Sequence, residues 1–334
     1  MEHLDIHFLN VGHGDCTFID HPSGNLTMID CNNSGDLPES DIKALADHLQ
    51  IEFEDFWRRR VFGLPSRGEL IQKLLTNPLD YYRKNFDGRV IHRYIQTHPD
   101  MDHMSGLWRL FWLEQIPLKH FWDTKNNRSF KESDFSNPRF EWNDWLTYRQ
   151  LSAGRLPNDG TVSTVFCHPG ESGAEAGDGI TVLSPTAKLV KECNAAGRWN
   201  DISYVLRVEY AGRVIILPGD AEKDAWESIL AISDKGVMKC DVLKAAHHGR
   251  SSGYEPRSAK TMSPSIVICS VGEDPATDAS AKYSAGGATV FSTRFDGSMR
   301  LRIWKSGKLE LRSHRGMVLK RLPRLKSWAD LYWY

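Results

Sequence analysis

The chain of 334 residues is long enough for one large α/β domain or two smaller ones. Its 40% hydrophobic and 25% charged residues are ordinary for a globular protein, and it has no run of about 18 apolar residues, so we expect no membrane span. The formal net charge of −1 excludes an overall basic field, so any nucleic-acid surface has to be a local patch. The six cysteines form no CxxC pair and the acidic start lacks a signal-peptide pattern, which predicts reduced thiols and a cytoplasmic protein.

The first predicted elements are three strands. Residues 4–9 alternate between apolar and polar side chains, and residues 17–20 and 26–30 predict a hairpin. Gly12 and Gly14 permit a tight turn before that hairpin. Asp15 lies at this turn and Asp30 at the end of the hairpin. Each of these acids is as consistent with a local turn as with support of a metal site.

A dense block of potential metal ligands follows the apolar run at residues 90–95. Four of them fall within six residues, namely His98, Asp100, Asp102 and His103. Imidazole and carboxylate together suit Zn, Mn or Fe-type ions, whereas capping the helix that is predicted from residue 105 needs only one such side chain. We therefore predict a metal site here. The preceding residues 36–88 have helical character and are predicted to be a helical insertion.

The segment 107–160 is rich in tryptophan, with Trp108, Trp112, Trp122, Trp142 and Trp145. Aromatic side chains at this density usually pack in a core or a lid, and stacking on a base or sugar is the alternative.

Further polar residues flank the next predicted strands, at 204–208 and 214–217. Asn200 and Asp201 precede the first of them, and Asp220 follows the second. A carboxylate in the place of Asp220 can bridge two cations, and its alternative role is to cap a helix at residues 221–230.

The strand predicted at residues 241–246 carries Lys244 and ends in His247 and His248. Adjacent residues of an extended strand point to opposite sides. We therefore expect only one of the two histidines to bind metal directly, and we expect Lys244 to present its ammonium to a phosphate.

The last predicted elements are a closing hairpin and a tail. Residues 289–293 and 299–304 flank a turn at Asp296 and Gly297, and residues 311–334 form a basic C-terminal tail. Strands that alternate with helices and end in polar residues predict an α/β sandwich of two or four layers.

In this order the motifs resemble the metallo-β-lactamase superfamily, and most of all the soluble hydrolase domain of the competence protein ComEC/Rec2 family. The matching segments run from about residue 4 to 310, and they are residues 11–15 with 29–30, 98–106, 200–206, 218–220 and 243–249. The resemblance implies a four-layer αββα sandwich, of class α/β (α+β), as a single hydrolase domain over residues 1–310. The insertion at 36–88 and the tail fall outside it.

The resemblance also implies a site for two divalent metal ions. His98 and Asp100 would bind the first ion, Asp102 and His103 the second, with Asp220 as the bridge and His248 as the last ligand. Asp15, Asp30, Asn200 and Asp201 would support the site or act as alternative ligands. This chain has Asp100 where most of the superfamily has a second histidine, and Asn200-Asp201 where another histidine is expected. Oxygen donors shift the preference from Zn towards Mn, with Mg as a further alternative.

The function that these residues predict is metal-dependent hydrolysis of phosphodiester bonds, with DNA or RNA as the partner. Asp102 would orient the attacking water, and Lys244 and His247 would neutralise charge on the phosphate. A second enzymatic hypothesis is hydrolysis of a small phosphodiester, nucleotide or ester. A hypothesis of another class is a non-catalytic, metal-binding regulatory protein.

Overall fold

Two sheets form the centre of the structure, a computed structural model that describes residues 2–33, 35, 74–136, 139–169, 178–232, 235–271, 277–314 and 316–323. The first sheet has nine strands in the order β15-β14-β13-β1-β2-β3-β4-β5-β6, and the second has six in the order β12-β11-β10-β9-β8-β7. The strands are β1 (His3–Phe8), β2 (Thr17–Asp20), β3 (Leu26–Ile29), β4 (Ile91–Ile95), β5 (Leu118–Trp122), β6 (Ser163–Val165), β7 (Ile180–Ser184), β8 (Val205–Tyr210), β9 (Arg213–Leu217), β10 (Val242–Lys244), β11 (Ile266–Cys269), β12 (Thr289–Ser292), β13 (Met299–Trp304), β14 (Leu309–Ser313) and β15 (Val318–Leu322).

Helices cover the outer faces of both sheets. They are α1 (Pro78–Phe86), α2 (Trp142–Ser152), α3 (Ala187–Ala196), α4 (Lys223–Ile232), α5 (Lys235–Met238), α6 (Pro256–Met262), α7 (Ser280–Ala285) and α8 (Thr293–Asp296). A π-helix spans Trp108–Leu113, and single 3₁₀ turns span Met101–His103, Glu132–Phe135, Asn200–Ile202 and Ala246–Gly249.

Three apolar cores define the layers. The middle core lies between the sheets, where Ile6 and Ile95 of the first sheet pack with Leu206 and Ile268 of the second. One outer core packs α1, the π-helix and α2 against the first sheet, and the other packs α3, α4, α6 and α7 against the second. The predicted four-layer αββα sandwich is therefore confirmed.

Strand direction places the loops that matter at one edge of the sandwich. Strands β3, β4, β5 and β6 run parallel to one another in the first sheet, and β9, β10, β11 and β12 run parallel in the second. Parallel strands bring their carboxyl ends to the same edge of a sheet, and polar residues there meet in a shared crevice.

The predicted closing hairpin is wrong. Strand β12 pairs in parallel with β11 in the second sheet, whereas β13 pairs with β1 in the first. The turn at Asp296 and Gly297 instead ends the short helix α8, which joins the two sheets. A turn signal predicts that the chain reverses, but the partners of the flanking strands depend on which apolar face each strand buries.

The boundary predicted at residue 310 falls inside β14, so the start of the basic tail belongs to the first sheet. Glu310 on β14 accepts hydrogen bonds from Arg312 and from Arg321 of β15, the latter at 2.7 Å. These two arginines are therefore engaged within the sheet edge. Residues 324–334 and most of the predicted insertion, 36–73, lie outside the described residues.

The tryptophans of residues 107–160 serve mainly in packing. Trp122 and Trp145 are buried, and Trp142 packs against the outer core of the first sheet. The helix expected from residue 105 is the π-helix, and the main-chain N–H of Trp108 donates to the Asp144 carboxylate at 2.9 Å.

Burial of Asp144 on α2 predicts a specific pH dependence of stability. Burial raises the pKa of this carboxyl from 3.8 to about 7. The folded state therefore keeps a proton that the unfolded state has lost between about pH 4 and 7, and stability falls as pH rises through this window by up to about 1.4 kcal/mol per unit. We expect Asp144→Asn, which keeps the acceptor for Trp108, to remove this slope. Urea unfolding of both proteins in chelator from pH 4 to 8 measures it, and parallel stability curves would contradict it.

All six cysteines are buried and free. Among the described residues, no helix is long and apolar enough to cross a membrane.

Candidate metal centre

The metal-ligating residues predicted from sequence meet where the two sheets face each other. The first sheet supplies the turn before β2 and the segments that follow β3 and β4, and the second supplies those that follow β9 and β10. Four buried side chains, Asp15, His103, Asp220 and His248, have ligand atoms within 4.8 Å of one another. A second group, His13, Asp102 and His248, meets the same condition. Either group could hold a metal ion.

The N-terminal turn lies directly against the loop that follows β4. The Asp15 amide donates to the Asp102 carbonyl oxygen at 3.3 Å, and the Cys31 amide donates to that of His103 at 2.8 Å. Gly14 has φ +143°, and an added Cβ would lie 2.3 Å from the Asp102 carbonyl oxygen. Glycine is required here because any side chain would separate Asp15 from the loop.

Asp220 is the central carboxylate of the site. Its Oδ1 lies 3.3 Å from His103 Nε2, and its Oδ2 lies 3.3 Å from His248 Nε2. The Nε2 atoms of His247 and His98 lie 3.7 and 3.9 Å from the same Oδ2. Four imidazole rings therefore surround one carboxylate, a position from which Asp220 can contact two cations.

Several polar atoms of this group are buried and have no hydrogen-bond partner among the described residues. They are His98 Nε2, His103 Nε2, His248 Nδ1 and Nε2, Asp15 Oδ1 and Asp220 Oδ1. Buried nitrogen and oxygen atoms are rarely left without a partner, because each costs roughly 1–3 kcal/mol. Imidazole nitrogens and carboxylate oxygens that converge in this way suit a divalent cation, and the donor set contains no thiolate.

Carboxylate charge dominates the electrostatics of the site. Burial lowers the pKa of the His103 ring, but Asp220, Asp30 and Asp102 outweigh burial and raise this pKa well above its ordinary value. Burial raises the pKa of Asp220, but His248 and His103 hold it well below the ordinary range. The same surplus of negative charge that keeps protons on the rings favours a cation, which would displace those protons.

Asp30 orients His103 rather than facing the centre of the site. Its Oδ2 lies 2.8 Å from His103 Nδ1, and its two oxygens accept from the Thr97 amide and hydroxyl at 2.8 and 2.7 Å. A carboxylate on Nδ1 sets the tautomer that leaves Nε2 free for a metal.

Asp100 lies at the rim of the site. Its Oδ1 accepts from Arg128 Nη1 at 2.5 Å, and its Oδ2 lies 3.8 Å from His98 Nε2. The Arg128 guanidinium is stacked between the rings of Phe130 and Trp199. Asp100 therefore shares its charge between His98 and a cationic group that is fixed by two aromatic rings.

Lys244 pairs with Asp15, a partner that the sequence analysis did not assign to it. Its ammonium is buried and donates to Asp15 Oδ2 at 2.5 Å, with side-chain exposures of 5% and 3% for the pair. Burial lowers the pKa of Lys244, but Asp15 and Asp220 outweigh burial and raise it. Its strand β10 lies inside the second sheet, between β9 and β11, and its end faces the N-terminal turn, which explains why the side chain meets Asp15.

The prediction that His247 and His248 point to opposite sides is wrong. Neither residue is extended, since φ is +49° at His247 and +58° at His248. Both rings therefore approach Asp220. His248 is the more deeply buried of the two, and its Nε2 also lies 3.3 Å from Asp102 Oδ2.

Asn200 and Asp201 form the 3₁₀ turn before β8, and Asp201 does not reach the cluster. Its Oδ1 accepts from the Ala225 amide at 3.0 Å, in the first turn of α4. Asp201 is thus a helix-capping residue. Asn200 contacts the Glu222 carboxylate instead.

Two residues of the site were missed by the sequence analysis. The His13 ring lies 4.7 Å from that of His248, and its Nε2 contacts Arg250 Nη2 at 3.1 Å. Glu222 Oε1 lies 2.8 Å from His247 Nδ1. Both could have been recognised from their positions in the sequence. His13 lies between Gly12 and Gly14, and Glu222 lies two residues after Asp220.

No protein-family model and no curated protein sequence matches this chain. Among solved structures, it is similar to the metallo-beta-lactamase fold protein YhfI from Bacillus subtilis, with TM-score 0.44 and 10% identity over 87% of this chain and 95% of that one. It is similar to Igni18, a metallo hydrolase from the archaeon Ignicoccus hospitalis, with TM-score 0.46 and 13% identity over 86% and 94%. It is also similar to CmlA, a diiron beta-hydroxylase from Streptomyces venezuelae, with TM-score 0.43 and 12% identity over 90% of this chain and 54% of that one. Structural similarity at this level assigns no activity. Any inference about function therefore rests on the residues of the site.

Proposed function

We propose that this protein is a metal-dependent phosphodiester hydrolase whose substrate is a nucleic acid. The observation that carries the proposal is the convergence of buried, unpartnered imidazole and carboxylate atoms around Asp220, where the two sheets meet. The ions are two divalent cations, Zn²⁺ or Mn²⁺, with Mg²⁺ as the alternative. The resemblance of the motifs to the ComEC/Rec2 hydrolase domain supports this choice of substrate.

The ligand assignment follows the resemblance. His98 and Asp100 are assigned to one ion, and Asp102, His103 and His248 to the other. His98, His103 and His248 each lie within 4 Å of Asp220, which agrees with its assignment as the bridge. A bound divalent cation would supply Lewis acidity, which activates water as a nucleophile and neutralises phosphate charge.

The side chains of the protein orient the substrate and the water. Asp102 is partly exposed, with 20% of its side chain accessible, so it can accept a hydrogen bond from an attacking water. Arg250 beside His13 and Arg128 beside Asp100 place guanidinium groups next to the cluster. Guanidinium groups match phosphate oxygens in geometry and charge, so these arginines are suited to hold a phosphodiester.

A cavity beside the cluster supports a nucleotide unit as the part that is recognised. It has a volume of about 250 Å³, and its lining combines Asp100, Asp102 and Arg128 with aromatic rings, including Phe130, Phe135 and Phe140. Aromatic rings stack on bases of any sequence, with about 1–3 kcal/mol per base. These phenylalanines take the role that the sequence analysis offered to the tryptophans. The small size of the cavity also favours the second candidate, a hydrolase of small phosphodiesters or nucleotides.

The test is cleavage of single-stranded DNA, double-stranded DNA, RNA and bis(p-nitrophenyl) phosphate by chelator-stripped protein with Mn²⁺, Mg²⁺ or Zn²⁺ added back. Metal-dependent cleavage of a polymer supports the proposal, and turnover of the chromogenic diester alone favours the small-substrate candidate. Metal binding without turnover on any substrate contradicts catalysis and favours a regulatory role.

Phe140→Ala separates base recognition from chemistry. We expect KM for a nucleotide substrate to rise about tenfold, since one stacking contact is lost, while turnover of bis(p-nitrophenyl) phosphate is unchanged. Leu146→Ala, at an exposed apolar position on α2, is the matched control. Equal losses on both substrates would show that the cavity does not bind the base.

A further inference from the structure

One of the two assigned ions has fewer protein ligands than the other. Asp102, His103 and His248 are assigned to one ion, with Asp15 beside both histidines, whereas only His98 and the rim residue Asp100 are assigned to the other. The His98 ring is completely buried, and among the described residues its Nε2 has no hydrogen-bond partner. This atom lies 3.9 Å from Asp220 Oδ2, the oxygen that His247 Nε2 also approaches, at 3.7 Å. The ion assigned to His98 therefore has a buried donor in a ligand set that is incomplete as assigned.

We propose that His247 completes this set, as a ligand of the same cation as His98, and that Glu222 is the positioning residue that holds it. The inference rests on the proposed function, because it concerns a metal of that site. It replaces the role predicted from sequence, in which His247 contacts the substrate.

The backbone at residues 247–248 explains how neighbouring histidines reach one carboxylate. Both residues are in the left-handed region, which few residues other than glycine adopt, so their side chains do not alternate as in a strand. Their ring centroids are 5.8 Å apart, and their Nε2 atoms lie 3.7 and 3.3 Å from Asp220 Oδ2. Such backbone strain persists where the surrounding structure requires it, and it is common at ligand-binding sites.

The hydrogen bonds of His247 involve Nδ1 and leave Nε2, the nitrogen nearest Asp220, available for a metal. Its Nδ1 lies 2.8 Å from Glu222 Oε1 and 2.8 Å from Ser252 Oγ. A carboxylate at this distance keeps a proton on Nδ1, so the lone pair of Nε2 is directed towards Asp220. Asp30 and His103 show the same arrangement elsewhere in the cluster, at 2.8 Å. His103 and His247 are thus alike in that each has a carboxylate beside Nδ1.

The experiment counts metal ions in the full chain. Wild type and variants are stripped with chelator and titrated with Co²⁺ and Mn²⁺, and bound metal is measured by elemental analysis and calorimetry. We expect two equivalents in wild type and one in His247→Asn, because asparagine tolerates the left-handed backbone but is too short to reach the site. In the Co²⁺ form, one hyperfine-shifted exchangeable imidazole N–H resonance should disappear from the proton spectrum.

Variants of Glu222 test its positioning role. Glu222→Ala should weaken binding of the same equivalent about 10- to 100-fold, and Glu222→Gln, which keeps an acceptor, should restore part of the affinity. The control is Glu227→Gln, an exposed glutamate of α4 that pairs with Arg257. Far-UV circular dichroism of the metal-free proteins checks that each variant is folded.

The failures are distinguishable. If His247→Asn binds as many equivalents as wild type with unchanged affinity, the inference is overturned and the proposed function stands, whether or not turnover falls. If wild type binds no divalent metal, the proposed function fails and the inference fails with it.

Discussion

Asp220→Asn is expected to reduce kcat/KM for phosphodiester cleavage by about three orders of magnitude or more. The substitution keeps the shape of the side chain but removes the charge that four imidazole rings share. Both cations would lose a ligand at once, because histidines assigned to either ion lie within 4 Å of this carboxylate. Steady-state hydrolysis of bis(p-nitrophenyl) phosphate with Mn²⁺, together with bound-metal analysis, measures the effect.

Asp144→Asn is the matched control for that substitution. Asp144 is also a buried aspartate, but it lies on α2 and contacts Trp108 rather than the cluster. It should retain wild-type turnover. Full turnover by Asp220→Asn would show that the cluster is not the catalytic centre, and equal losses in both variants would indicate a general effect on folding.

Lys244→Met should destabilise the protein by about 3–5 kcal/mol, because it removes the nearest counter-charge of the buried Asp15 carboxylate. The two side chains are almost fully buried, and their contact joins the second sheet to the N-terminal turn of the first. Urea unfolding in chelator, with the stability of the metal-free protein as the readout, measures the loss.

A double substitution separates an ion pair from a substrate contact. Asp15→Asn combined with Lys244→Met removes both charges and should recover much of the stability lost in Lys244→Met alone. If Lys244→Met is as stable as wild type and only turnover falls, Lys244 acts on the substrate, as the sequence analysis proposed.

The sandwich was predictable from the sequence because the pattern that indicates its strands is local. Apolar runs such as β4 and β9 end in polar residues, and that pattern depends only on neighbours along the chain. The pairing of β12 and β13 was mispredicted because strand partners depend on which core each strand buries. Nothing in the sequence around Asp296 shows that its two flanking strands belong to different sheets.

The site was predictable as a set of residue types and less so as a set of roles. The block from His98 to His103 is dense enough in potential ligands to predict a metal site by itself. Lys244 and His247 were predicted to contact the substrate, and the backbone that carries them was assumed to be extended. The structure has a buried ion pair at Lys244 and left-handed residues at 247 and 248, and neither follows from residue spacing.

The contact between Lys244 and Asp15 also bears on how the protein folds. The two residues are 229 positions apart, so their contact closes most of the chain into one loop. Contacts of such long range form late, as does the pairing of β1 with β13, because the entropy of loop closure has to be overcome first. Partly folded chains with only one sheet formed would hold only part of the ligand set and bind metal weakly. Metal would then act chiefly on the finished sandwich, where it slows unfolding and leaves the rate of folding almost unchanged.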